Sequence, residues 1–225
     1  MKTIIFFTSL LFIISFNSVY AQIFSEEPTV RVRIIYTLDS LNIAFNDAWI
    51  ISQDNLEELR INKDDSVTIT IEDDVIAISN FATGSFNNFK HLVFKSESVS
   101  GTLIIKNVPY GIGWWWEGIE DRAYEGDIEI SINENKKFDV IVSIPLEKYL
   151  CGVVPYEIGS DAPLEALKSQ VIAARSETVV ALISGKYKGN NFDLCADVEC
   201  QVFAGNNKRT PISDQAVEET RGLCL

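Results

Sequence analysis

Alternating apolar and polar residues dominate the first two thirds of the chain. Six segments carry the pattern most clearly, and they are Val30–Tyr36, Ser66–Ile71, His91–Lys95, Gly101–Ile105, Asp127–Ile132 and Phe138–Ile144. Because successive side chains of a strand point to opposite faces, this alternation of β-branched residues between turn-forming residues predicts half-buried strands. Asp54–Glu58 departs from the pattern and is expected to be a short helix or turn. Residues 28–140 are therefore predicted to form a β-rich N-terminal portion.

Helical periodicity replaces the alternation in the last third of the chain. At about 100° per residue, six apolar side chains after residue 160 share one face, and they are Leu164, Leu167, Val171, Ile172, Val179 and Leu182. Asp161 suits the N-cap, Pro163 is tolerated in the first turn, and Gly185 suits the C-terminal end. We therefore predict one long helix at about residues 161–184, preceded by a helical turn at Leu146–Tyr149. The fold class is α+β.

Two cationic residues of this predicted helix, Lys168 and Arg175, interrupt its apolar face. Charged groups that face a core are costly unless they are paired, so both should have acidic or ligand partners. Glu157 is the nearest acidic candidate, and its apolar neighbours Tyr156 and Ile158 suggest a partly buried carboxyl. A single such Glu suits general acid and base catalysis. The alternative is a structural ion-pair network that locks the helix to the sheet.

Composition and charge narrow the class of function. The chain has 225 residues, of which 47% are apolar and 23% charged, as in an ordinary globular protein, and the length allows one large or two small domains. The formal net charge of −13 argues against a nucleic-acid partner, because binding to phosphates requires clustered Lys and Arg.

Residues 1–21 have the features of an export signal. Lys2 supplies a positive start, Ile4–Phe16 is an apolar run, and Val19–Ala21 offers a cleavage site. The run is shorter than the roughly 18–20 apolar residues that a spanning helix needs. We therefore expect a signal peptide that is removed, no stable membrane span after its removal, and a secreted protein of the periplasm or cell envelope.

Three motifs between residues 146 and 205 resemble the core of the SpoIID family, which comprises stage II sporulation protein D and the LytB-type amidase enhancers. The motifs are LEKYLCGVVPYEI, PLEALKSQVIAARSETVVAL and CQVFAG. Upstream, AYEGDIEI at Ala123–Ile130 also resembles a strand that precedes this core. The resemblance implies a SpoIID-type core over residues 141–225 after the β-rich portion.

What the resemblance implies is a lytic transglycosylase of bacterial peptidoglycan. The family's catalytic acid falls on Glu157, and the two helix cations that the family places in or beside the active site fall on Lys168 and Arg175. The residues expected to bind the glycan strand are Tyr156, Gln170 and Gln201. In this reaction the sugar's own 6-hydroxyl closes an anhydro ring, so the second carboxylate of a hydrolase is not required.

A second function class stays open beside the enzyme. LytB-type members suggest a non-catalytic protein that binds the cell wall and recruits or stimulates a cell-wall amidase. The family's core usually continues into further strands beyond the position that Leu225 occupies here, so the core is expected to be incomplete at its C-terminus.

The cysteines depart from the pattern of those family members that hold zinc with Cys and His near the segment occupied here by Asp193–Gln201. This segment has Cys195 and Cys200, but the chain's one histidine, His91, lies in the β-rich portion. Two thiolates are too few for a four-ligand structural zinc, so no metal and no other cofactor is expected. A disulfide, a bound metal and two free thiols all remain open for the pair, and Cys151 is expected to be a small buried residue.

Three consecutive tryptophans, Trp114–Trp116, follow Tyr110 and admit two interpretations. They could form a platform on which sugar rings stack, since aromatic faces suit pyranose rings. Three adjacent side chains cannot all face one way on a strand. Core packing with one exposed ring is therefore the favoured interpretation.

Overall fold

A computed structural model describes residues 24, 26–53, 57–80 and 84–225. In this described part the chain forms two β-sheets and three helices. The strands are β1 (Thr29–Ile35), β2 (Ser40–Phe45), β3 (Trp49–Gln53), β4 (Glu57–Ile61), β5 (Ser66–Glu72), β6 (Val75–Asn80), β7 (Gly84–Phe89), β8 (His91–Ser96), β9 (Thr102–Tyr110), β10 (Gly118–Glu125), β11 (Asp127–Ile132), β12 (Phe138–Pro145) and β13 (Leu194–Cys195). The helices are α1 (Leu146–Glu157), α2 (Leu164–Ser184) and α3 (Pro211–Glu219). The predicted signal peptide at residues 1–21 lies outside the described residues.

The larger sheet joins the N-terminal and C-terminal parts of the chain. Its strand order is β13-β1-β12-β11-β8-β3-β4, and β1 lies between β12 and β13. Val32 of β1 is opposite Val142 of β12 on one side and Leu194 of β13 on the other. The predicted boundary at residues 140 and 141 falls inside β12, a strand that pairs with both β1 and β11.

The smaller sheet is a series of antiparallel strands in the order β10-β9-β2-β5-β6-β7. The tight turn between β5 and β6 places Asp73 and Asp74 at positive φ, the geometry whose twist suits a two-residue hairpin. Phe45 of this sheet stacks with Phe94 of the larger sheet, with ring centroids 6.2 Å apart. The inner faces of the two sheets thus share one apolar core.

The helices follow β12 directly and pack on one another. α1 buries Tyr149, Leu150, Val153 and Val154, and α2 contacts both α1 and α3. α2 begins at Leu164, three residues after the predicted start at residue 161, and the prediction of Asp161 as its N-cap was wrong because the N-cap is Pro163. It ends at Gly185 in the left-handed conformation, as predicted.

α1 is longer than the sequence predicted. In place of a helical turn at Leu146–Tyr149, the structure has a helix of 12 residues that continues through Pro155. A proline in the last turn of a helix removes one backbone hydrogen bond. Here the burial of the apolar side chains of α1 outweighs that loss, because tertiary packing supplies most of the stability of a helix in a protein.

The predicted α+β class and β-rich N-terminal portion are confirmed, and each of the six predicted strands is present. The expected helix or turn at Asp54–Glu58 is wrong at residues 57 and 58, which begin β4, and residues 54–56 lie outside the described part. Seven further strands of the described part were not predicted, namely β2, β3, β4, β6, β7, β10 and β13. No helix of the described residues is long and apolar enough to cross a membrane.

Candidate functional site

Glu157 is the last residue of α1, and its side chain is exposed to solvent. Its Oε1 accepts a hydrogen bond of 2.9 Å from the backbone N–H of Val202. After Ile158 the chain turns at Gly159, whose φ of +90° favours glycine. The expected partial burial of Glu157 was wrong, because α1 continues to this residue and carries its carboxylate out of the core.

A buried glutamine holds the loop that supplies this N–H group. Gln201 is 5% exposed, and every polar atom of its side chain has a partner inside the protein. Its Nε2 donates to a carbonyl and a carboxylate of α2, its Oε1 accepts from hydroxyls of α1 and α2, and these partners are Ala174, Glu177, Tyr149 and Thr178. The network fixes the position of Val202 relative to both helices.

Arg175 is buried and faces Glu147, not Glu157. The guanidinium donates from Nε and Nη2 to the two carboxylate oxygens of Glu147, at 3.0 and 2.6 Å. Nη1 also donates to the Leu223 carbonyl at 3.0 Å. The expectation of a shielded ion pair is confirmed, while the expected partner was wrong. Arg175 ties α2 to the first turn of α1 and to the C-terminal segment.

Lys168 is likewise paired away from Glu157. Its Nζ lies 2.8 Å from Glu165 of the same helix and 2.6 Å from Glu219 of α3. These carboxylates raise the pKa of Lys168 above its ordinary value through their hydrogen bonds. Among the described residues, no Lys or Arg nitrogen lies within 4.0 Å of the Glu157 carboxylate. Gln170, on the same helix, is half-buried and has no side-chain hydrogen bond to the described residues.

Tyr156 precedes Glu157 in the last turn of α1 and is half-buried. Its hydroxyl is buried and has no hydrogen-bond partner in the described part of the protein. Burial raises the pKa of this phenol to about 12, and the neighbouring Glu120 carboxylate adds to the effect. The Lys208 ammonium lies 4.2 Å from the ring centroid, within the range of a cation–π contact.

A cavity of about 260 Å³ is lined in part by the loop that contains Val202. Val202 forms part of its wall and also donates its N–H to Glu157, so the cavity and the carboxylate are adjacent. The opposite wall comes from the end of β1 and from the connection between β9 and β10, including Trp114 and Trp116. The three tryptophans are 55%, 93% and 37% exposed in chain order. The favoured interpretation of core packing with one exposed ring was therefore wrong.

Cys195 and Cys200, which precede Val202 in the chain, share a hydrogen bond. Their Sγ atoms are 2.9 Å apart, and the Tyr187 hydroxyl lies 3.3 and 3.4 Å from them. The hydrogen bond from Cys195 lowers the pKa of the Cys200 thiol to about 5, with help from Tyr187 and Lys186. Burial raises the pKa of Cys151 to about 12, in keeping with the buried thiol expected there.

The structure adds two carboxylates to the candidate metal donors. Ligand atoms of Cys195, Asp197 and Glu199 lie within 4.8 Å of one another. This group contains no histidine and was not predicted from the sequence. Two sulfurs bound to one tetrahedral zinc at about 2.3 Å each would lie roughly 3.8 Å apart. The hydrogen-bonded pair of Cys195 and Cys200 is closer than that, so this arrangement does not fit a shared zinc.

Comparison with known proteins places these features in a family. Residues 134–225 match the family model described as SpoIID, Stage II sporulation protein. An uncharacterized protein from Brachyspira hyodysenteriae is 34% identical over 109 residues, which amount to 48% of this chain and 28% of that protein. The matched family region holds all three helices and the Glu157 loop. Residues 134–225 are therefore a SpoIID domain, of a family linked to sporulation and cell-wall remodelling.

Proposed function

We propose that this protein cleaves peptidoglycan glycan strands as a lytic transglycosylase, with Glu157 as general acid and then general base. One observation supports the proposal above the others. The Glu157 carboxylate is exposed, is held by the Val202 N–H group, and lies beside a cavity that can receive a sugar ring. A catalytic acid must reach the atom it protonates, and an exposed carboxylate bonded to a residue of the cavity wall meets that requirement.

The proposed reaction needs one carboxyl group and no water. Glu157 gives its proton to the glycosidic oxygen as the bond from C1 of N-acetylmuramic acid to that oxygen breaks, through an oxocarbenium-like transition state. The 6-hydroxyl of the same sugar then bonds to C1, and its proton passes to the Glu157 carboxylate. The products are a 1,6-anhydro-N-acetylmuramic acid end and a free N-acetylglucosamine end, and the enzyme regains its starting protonation.

Lys168 and Arg175 take part in this proposal as positioning residues. Arg175 fixes the start of the helix that carries Glu157, and Lys168 joins α2 to α3. Gln201 holds the loop of Val202 from inside. Tyr156 and Gln170 remain the proposed contacts to the glycan, because both residues keep part of their surface in solvent and Tyr156 directly precedes Glu157 in α1.

Mass spectrometry of glycan strands incubated with the full chain tests the reaction. We expect anhydro-N-acetylmuramic acid ends with the parent protein and at least a 100-fold slower release with Glu157→Gln, on the order of the loss of a general acid. The matched control is Glu134→Gln, which removes an exposed carboxyl group from the turn between β11 and β12. Equal product formation by the parent protein and Glu157→Gln would refute the enzymatic proposal.

The pairing of Lys168 and Arg175 away from Glu157 favours a second candidate function. A carboxylate with one backbone partner suits a protein that binds the cell wall without cleaving it. In that case the protein would recruit or stimulate a cell-wall amidase at the envelope, after export by the predicted signal peptide. Adding the parent protein and Glu157→Gln to an amidase assay separates the two functions, because recruitment should be the same for both.

A further inference from the structure

Three aromatic rings form a stack at the connection between β9 and β10, outside the SpoIID domain. The Trp116 ring lies 6.4 Å from both the Tyr110 ring and the Trp114 ring, and each pair is inclined by 21°. Trp114 and Trp116 keep 55% and 37% of their surface in solvent. Large aromatic residues usually dominate cores and interfaces, so an exposed ordered stack indicates a surface that binds a partner.

The backbone around the stack fixes it in place. Gly111 has a φ of +61°, and a Cβ atom there would overlap the Trp116 ring, so the ring packs directly on this glycine. The N–H groups of Trp114 and Glu117 donate to the carbonyls of Gly111 and Trp114, at 2.9 and 3.0 Å. The Glu117 carboxylate in turn accepts from the Gly113 N–H at 2.8 Å. A surface that is already ordered loses little entropy when it binds a ligand.

An arginine beside the stack forms no ion pair within 4.0 Å among the described residues, although its charge opposes the rise that burial causes in the pKa of the Asp139 carboxylate. Arg33 lies on the wall of the same cavity, with its guanidinium 4.6 Å from the Tyr36 ring centroid and 4.2 Å from that of Phe192. Its Nε is buried without a hydrogen-bond partner, and none of the described carboxylates forms an ion pair with it. Arg122, which is also on this wall, is instead neutralised by Glu120 at 2.8 Å. Arg33 is thus the cation of this wall that has no ion pair, and it shares the cavity with the carboxylates of Asp197 and Glu199.

We propose that the Trp114–Trp116 stack and Arg33 form a glycan subsite for an amino-sugar strand that bears carboxylates. The apolar C–H face of a pyranose ring would lie on the tryptophan faces, and Arg33 would pair with a carboxylate of the strand. Val202 links this cavity to Glu157, so a strand seated on the stack runs toward the carboxylate. The relation to cleavage rests on the proposed function, whereas the binding itself does not require Glu157 to act.

Binding measured without cleavage tests the subsite. Peptide-free glycan oligosaccharides that contain N-acetylmuramic acid, and neutral chitohexaose for comparison, are titrated into full-length protein carrying Glu157→Gln, by calorimetry. We expect Trp114→Ala and Trp116→Ala each to weaken binding of both sugars about tenfold. Arg33→Gln should weaken binding of the carboxylate-bearing glycan several-fold and leave chitohexaose unchanged.

Trp115→Ala is the matched control, because Trp115 is 93% exposed and does not line the cavity. Its affinity for both sugars should equal that of the parent. Near-ultraviolet circular dichroism shows that each variant keeps its tertiary structure. The proposal is overturned if neither sugar binds, if Trp114→Ala and Trp116→Ala bind as the parent does, or if Trp115→Ala is as weak as they are. Failure of glycan cleavage with tryptophan-dependent binding intact would refute the proposed function and support the subsite.

Discussion

The two ends of α1 each carry a glutamate, and the two side chains have opposite surroundings. Glu147 in the first turn is buried, and both of its carboxylate oxygens accept hydrogen bonds from the Arg175 guanidinium. Glu157 at the last position is exposed and has one backbone N–H as its partner. The first carboxylate is fully used by the fold, whereas the second is available to a ligand. The comparison shows that burial and partners, and not a shared helix, decide which acid can do chemistry.

The same comparison reassigns Arg175. On the apolar face of α2 it was expected to pair with Glu157, but its hydrogen-bond partner is Glu147 in the first turn of α1. A bidentate pair of this kind is specific in geometry, and it leaves a buried charge if one partner is removed. Arg175 therefore belongs to the structural end of α1.

Removal of the ion pair between Arg175 and Glu147, at the buried end of α1, should have the largest effect on stability. Arg175→Met leaves Glu147 unpaired, so we expect a loss of about 3–5 kcal/mol in the free energy of unfolding and a Tm lower by roughly 10 °C. Glycan binding and cleavage should fall with it, because the helix that presents Glu157 loses its anchor. Urea and thermal unfolding measure the change.

The double variant Glu147→Leu with Arg175→Met is the control for this prediction. Replacement of both charges by apolar side chains should restore much of the lost stability, since a buried pair often contributes little beyond what an apolar pair would. A double variant no more stable than Arg175→Met would contradict the assignment of the loss to the unpaired carboxylate.

Cys200 lies on the loop whose Val202 contacts Glu157, and the reactivity of its thiol should depend on pH. In reduced protein, alkylation of Cys200 by iodoacetamide should slow as the pH falls through about 5, the pKa of this thiol. Ordinary thiols slow already below about 8.5, because the thiolate is the nucleophile. Removing the Lys186 ammonium with Lys186→Met should raise the midpoint. A Cys200 midpoint above pH 8 would contradict the shared hydrogen bond with Cys195.

Mass determination of unreduced protein and elemental analysis extend this test to the oxidised and metal-bound states of the same loop. We expect no tightly bound zinc. One equivalent that disappears on Cys195→Ser or Cys200→Ser would contradict that expectation and would assign Asp197 and Glu199 as further donors.

Lys168, the other cation on the predicted apolar face of α2, should contribute much less to stability than Arg175. Lys168 is paired at the surface with Glu165 and Glu219, where solvent screens the charges. Lys168→Met should therefore lower the Tm only slightly and far less than Arg175→Met does. Equal losses for the two variants would show that Lys168 is buried in solution, in conflict with the structure.

The smallest effects on stability are expected at the exposed end itself. Glu157→Gln keeps an oxygen that can accept the Val202 N–H, and Gln170→Ala removes no hydrogen bond within the described part. Both variants should stay within about ±0.5 kcal/mol of the parent in unfolding free energy. A loss above about 2 kcal/mol for Glu157→Gln would make this acid structural as well, and would remove the contrast between the two ends of α1.

The sequence correctly predicted those strands and helices whose periodic pattern of apolar and polar residues extends over many positions. The six alternating segments all became strands, and the end of α2 at Gly185 followed from its left-handed cap. β2 was not predicted although its burial alternates regularly, with Leu41, Ile43 and Phe45 in the core. α1 was cut short because Pro155 signals a break, although burial of its neighbours sustains the helix.

The sequence by itself determined the α+β class, the resemblance of residues 141–225 to the SpoIID family, and the fact that Arg175 needs an acidic partner. Each of these depends on residue type and local spacing. Only the tertiary structure decided that the partner is Glu147, that Glu157 is exposed and meets the Val202 N–H, and that the tryptophan stack borders the same cavity. These contacts join residues far apart in the chain, and their geometry depends on how helices and sheets pack, which local periodicity does not encode.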